Sequence, residues 1–117
     1  MSMNVRIFAE RDVKYRNKAG KTSTDTQTVK FEAYQTPTEA SYAIVNNNDP
    51  AEAYANWVLK ERSVDEEIPI YGEDDVFGDE EPVGFRTHNA GKAHVEQFIE
   101  WCNLVEKKGY TVKFEVM

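Results

Sequence analysis

The chain has one cysteine, Cys102, in 117 residues, so it cannot close an internal disulfide, and its stability has to come from packing. No apolar run approaches the ~20 residues that span a bilayer. The first residues alternate apolar and polar side chains instead of forming a signal-peptide core, and no Asn-x-Ser/Thr acceptor occurs. These absences predict a cytoplasmic protein with no membrane partner. Histidine is nearly missing too: with only His88 and His94, a structural zinc site is excluded and near-neutral acid–base chemistry has few carriers. No serine or cysteine nucleophile sits in a recognisable turn beside either histidine.

Lysine and arginine are absent between Ser63 and Phe85, where nine acids stand: Asp65, Glu66, Glu67, Glu73, Asp74, Asp75, Asp79, Glu80 and Glu81. The net charge of -7 belongs to that segment, since without it 12 acids face 14 bases. Residues 1 to 30 are basic, with Arg6, Arg11, Lys14, Arg16, Lys18, Lys21 and Lys30 against Glu10, Asp12 and Asp25. Such polarisation bears on partners and not on fold.

What remains is an ordinary domain composition, 40% hydrophobic and 12% aromatic, enough to offset the entropy of ordering one core. Val5, Ile7, Ala9, Val13 and Tyr15 recur at period two, with Phe8 pointing the other way, which predicts a strand with one buried face. A polar loop, Asn17 to Lys21, and a threonine-rich stretch lead into Val29, Phe31 and Ala33, completing a long antiparallel hairpin with a basic tip. Thr36-Pro37-Thr38-Glu39 predicts a helix capped by the Thr36 hydroxyl and running to about Val45. Asp49-Pro50-Ala51-Glu52 starts a second helix, to about Arg62, whose Tyr54, Trp57 and Val58 make an apolar side.

Glu67 to Tyr71 reads as extended, but Pro69 restricts it to an edge or irregular structure, and Val83 to Arg86 as a brief pairing partner. A long acidic loop at about 65–82 is expected between the second and third helices. Asn89 caps the third helix, Val95, Phe98, Ile99, Cys102 and Val105 form its stripe, and Lys107-Lys108-Gly109 ends it. Tyr110, Val112, Phe114 and Val116 then alternate as a closing strand. The expectation is a single two-layer α+β domain over residues 1–117, an antiparallel sheet of three to four strands against helices in the order β-β-α-α-(β)-α-β. Thr28-Val29-Lys30-Phe31-Glu32-Ala33 nearly recurs as Thr111-Val112-Lys113-Phe114-Glu115-Val116, as two strands with one apolar and one salt-bridging face would converge to do.

Three functional readings follow. The acidic segment holds apolar and aromatic residues, Ile70, Tyr71, Val76 and Phe77, among carboxylates whose spacing imitates the field of a phosphate backbone. That pattern points to a non-enzymatic surface meeting a basic, nucleic-acid-handling protein, through Glu73, Asp74, Asp75, Phe77, Asp79, Glu80 and Glu81. In composition the chain resembles small acidic inhibitor, immunity and phage anti-defence proteins, a likeness no residue motif carries. The alternative is a small enzyme or anion-binding domain using Arg86, His88 and Lys92 at the head of the third helix. The surrounding Gly84 to Ala93 is not a phosphate loop, because six residues separate Gly84 from Gly91 where four are required, and Ala93 stands where a hydroxyl must hold magnesium. The third and weakest reading is direct nucleic-acid binding by the hairpin tip, Lys14, Arg16, Lys18 and Lys21, against which stand the lack of any aromatic but Tyr15 there and a net charge of -7 that repels a phosphate backbone. The acidic segment lacks the ligand spacing of an EF-hand, so neither a metal nor a cofactor is expected.

Overall fold

In the computed structural model, which describes residues 4–72 and 81–117, the elements run β1 (Val5–Arg16), β2 (Thr22–Phe31), α1 (Thr38–Val45), α2 (Pro50–Glu61), β3 (Asp65–Ile70), β4 (Gly84–Asn89), α3 (Ala90–Lys107) and β5 (Thr111–Val116). The α+β class and the element order are as expected. The strands divide into a three-stranded sheet, β2-β1-β5, and a separate ribbon, β3-β4, antiparallel throughout. None of the helices in the described residues is long and apolar enough to cross a membrane.

The two near-identical hexapeptides flank the same strand in the same register. Glu10 faces both Thr28 and Thr111, Ala9 both Val29 and Val112, Phe8 both Lys30 and Lys113, and Ile7 both Phe31 and Phe114. Because side chains alternate across a sheet, the valines and phenylalanines fall with Ile7 and Ala9 on the face covered by helices. Phe31 and Phe114 converge there on Phe98 of α3, with ring centroids 5.2 and 6.3 Å away, and Tyr54 of α2 meets Phe98 edge-on at 5.2 Å. Val5, Ile7, Ile44, Tyr54, Val58, Val95 and Phe98 form the core. The threonines and lysines of both copies fall on the other face, where Lys113 pairs with Glu10 and Arg6 with Glu115 at 2.7 Å.

Local signals set most element ends. Asp49 caps α2 by accepting the Glu52 amide at 3.2 Å, and Asn89 caps α3 by accepting the Lys92 amide at 3.0 Å. Gly109, at φ +86°, turns the chain out of α3 in the left-handed conformation that glycine adopts freely. Helix α1 departs from expectation. Its cap position is Pro37, with no side-chain cap bond, because Thr36 is buried and committed elsewhere. The Thr36 hydroxyl oxygen accepts the Val5 amide at 3.0 Å and lies 2.5 Å from the Ser41 hydroxyl, tying the start of β1 to α1.

The buried face of β1 also ends earlier than its period suggests. Phe8 is buried on the opposite face, with the Arg6 guanidinium 4.8 Å from its ring centre, whereas Tyr15 is 51% exposed. The cause is length: β5 stops opposite Glu10, and β1 and β2 run on alone through six further pairs, from Arg11↔Gln27 to Arg16↔Thr22. Arg11 braces the root of this extension, donating to Gln27 at 2.9 Å and to the Lys108 carbonyl at 2.6 Å while lying over Tyr110. The radius of gyration is 20.8 Å, well above the ~13 Å of a globular chain this long.

Candidate functional site

The described acids of the acidic segment, Asp65, Glu66, Glu67 and Glu81, lie on or beside the β3-β4 ribbon, and the ribbon grows from a tightly fitted root. Asn89 not only caps α3; its side-chain NH2 donates to the Ser63 hydroxyl at 2.9 Å and to the Asp65 carboxylate at 3.0 Å. Gly91, in the first turn of α3, lies against the Arg62 carbonyl so closely that a β-carbon would stand 2.5 Å from that oxygen. One asparagine and one glycine thus hold the end of α2, the start of β3 and the start of α3 together.

Beyond the root the ribbon is largely solvated. Glu66 pairs with His88, Ile68 with Arg86, Pro69 with Phe85 and Ile70 with Gly84. Pro69 is accommodated because this two-stranded ribbon leaves its strands an unpaired edge. Asp65, Glu66, Glu67 and Glu81 are exposed, and so are Ile70 (44%), Tyr71 (51%), Val83 (73%) and Phe85 (59%). Ile70 and Tyr71 therefore do not fasten the segment to the core. Of the residues expected to bind a partner, Glu81 lies at the foot of β4, while Glu73, Asp74, Asp75, Phe77, Asp79 and Glu80 lie outside the described residues. Phe85 on β4 and Val83 just before it join the apolar set through exposure, which periodicity over so short a segment could not reveal.

Arg86 and His88, two apart on β4, share a face, and Lys92 sits in the first turn of α3; all three are exposed. The Lys92 amide is already taken by Asn89, and the Asp65 carboxylate stands beside the same cap.

His94 lies inside an aromatic group. Its Nε2 is 2.8 Å from the Tyr54 hydroxyl, whose oxygen accepts the Tyr34 amide at 2.9 Å, and its ring packs against Tyr34 at 4.3 Å and Phe31 at 5.2 Å. Burial lowers the His94 pKa and pushes Tyr54 up to about 12. Tyr54 therefore donates its proton to a neutral imidazole. The pair is a packing element that the isolated histidine in the sequence does not announce.

Comparison with family models, curated proteins and solved structures finds no match to this chain. A cleft of about 480 Å³ at the β5 edge contains Phe8, Asp49, Cys102, Glu106 and Lys113. Burial, with the Glu106 carboxylate adding to it, pushes the Cys102 thiol up to about 11, so it stays protonated and un-nucleophilic near neutral pH. Among the described residues, no three His, Cys, Asp or Glu side chains are grouped to hold a metal.

Proposed function

We propose that the chain is a non-enzymatic binding module of the cytoplasm, an acidic inhibitor that blocks a basic, nucleic-acid-handling protein with the segment borne on the β3-β4 ribbon. One observation supports this reading most: the apolar residues bracketing the carboxylates, Ile70, Tyr71, Val83 and Phe85, are exposed on a ribbon that stands off the core. A segment that only kept the chain in solution would gain nothing from them, whereas an interface uses apolar anchors amid steering charges. Fields from closely spaced carboxylates attract surfaces built for phosphates and speed encounter with them.

The test compares the chain with a variant neutralised at Glu73, Asp74, Asp75, Asp79, Glu80 and Glu81 (each to Gln or Asn). Both are immobilised and exposed to host extract, and bound protein is challenged with duplex DNA. The expected result is a basic protein retained only by the unaltered chain and released by DNA. Retention indifferent to neutralisation, or to DNA, overturns the reading.

A further inference from the structure

We propose that the free end of the β1-β2 ribbon is a second binding site, one that grips duplex DNA through its phosphates without reading sequence. This inference does not depend on the acidic ribbon.

From Val13 to Thr24 the ribbon carries Lys14, Arg16, Lys18 and Lys21 and no acid. Among the described residues, the ion pairs are Arg6 with Glu115 and Lys113 with Glu10, so none of the four cations at the tip is neutralised by a partner. Below them, Asp25 pairs with Val13 on the opposite face from Lys14 and Arg16, and Asp12, the first acid on their own face, accepts a hydrogen bond from the Thr26 hydroxyl at 2.9 Å. Lys14 and Arg16 share one face with the hydroxyls of Thr24 and Thr22 directly across from them. Cations flanked by hydroxyls are the groups that hold phosphate oxygens.

The tip is also preorganised. Asn17 accepts the Ala19 and Lys21 amides on its side chain, both at 3.0 Å, and its own amide reaches the Lys21 carbonyl at 2.9 Å. Gly20, at φ +77°, supplies the left-handed step that closes the turn. The four charges are thus presented from a stapled frame, which limits the ordering cost of binding.

Shape selects the ligand. A two-stranded ribbon fits the B-form major groove, about 12 Å wide, whereas the A-form major groove of RNA is too deep and narrow for it. The net charge of -7 is the obvious objection, and the length of the extension answers it. Six residues beyond the end of β5 place the tip about 20 Å out, at ~3.3 Å per residue. That is about twice the Debye length in 0.1 M salt, so repulsion from the sheet and helices is largely screened at the tip.

The experiment is fluorescence anisotropy of the full chain with a labelled duplex of about 20 base pairs over a salt series. Four phosphate contacts give a log–log slope of about -3.6, so binding weakens roughly 150-fold between about 50 and 200 mM salt. Lys18→Gln with Lys21→Gln should halve the slope, and adding Lys14→Gln and Arg16→Gln should abolish the complex. The absence of any complex at about 50 mM salt overturns the proposal. So does a quadruple variant that keeps the original slope, or a chain that binds anionic lipid vesicles in preference to the duplex. The slope of the unaltered chain needs no variant, so a misfolded mutant cannot mask failure.

Discussion

Tyr54 on α2 and His94 on α3, 40 residues apart, meet through a 2.8 Å hydrogen bond in which the imidazole is the acceptor, because the Tyr34 amide is the hydroxyl's other partner and only Nε2 can take the buried Tyr54 proton. Protonating His94 would turn it into a second donor to that oxygen and strand the Tyr54 proton in a fully buried site. Burial and geometry therefore both oppose the charged form.

This makes stability depend on pH in a defined direction. His94 has a folded pKa below its ordinary 6.5, so on acidification the unfolded chain takes up a proton first. The His94 contribution is intact above pH 6.5 and declines as the pH falls from there toward the lower folded value. Urea denaturation at about pH 7.5 and pH 5 should show a loss that His94→Gln reduces, since glutamine accepts the Tyr54 proton without titrating. An identical pH dependence in the variant would show that other groups carry it.

The root of the acidic ribbon should be intolerant of a single methyl group. Gly91→Ala places a β-carbon 2.5 Å from the Arg62 carbonyl, and backbone on both sides leaves no flexible atom to yield. A loss of about 1–3 kcal/mol is expected. Asn89→Ala should cost about 1 kcal/mol for the lost cap and free Ser63 and Asp65 as well. Thermal unfolding measures both, and a Gly91→Ala protein as stable as the original would contradict the close approach.

Thr36→Val should cost about 1–3 kcal/mol although it conserves volume, because it leaves the buried Val5 amide without an acceptor. Were Thr36 only a helix cap, Thr36→Asn would rescue stability, since asparagine caps well. The Thr36 side chain is instead buried and 2.5 Å from the Ser41 hydroxyl, so no rescue by the larger asparagine is expected in chemical denaturation.

The alternation in Thr28–Ala33 and Thr111–Val116 identifies two strands, and the acids of 65–81 identify a charged arm, since both patterns are local. The exposed acids Asp65, Glu66, Glu67 and Glu81 were legible for the same reason: charge does not need a fold to be counted. The exposure of Phe85, in a six-residue strand, and of Val83, just before it, was not, because an apolar residue in so short a segment reads the same whether it meets a core or solvent. The aromatic setting of the half-buried His94 was not legible either, because its partners come from three other segments, at Phe31, Tyr34 and Tyr54.

By itself the sequence determined what acts over three or four residues. The caps at Asp49 and Asn89, the left-handed stops at Gly20 and Gly109, the apolar stripe of α3 and the opposite charge of its two hairpins all follow from neighbouring side chains and backbone. Only the tertiary structure decided that both hexapeptides flank β1 in one register, that Thr36 serves β1 instead of α1, and that Val13 and Tyr15 run past the core. Those outcomes depend on where β5 ends and what packs beneath it, and burial is a property of the assembled layers, not of any strand alone.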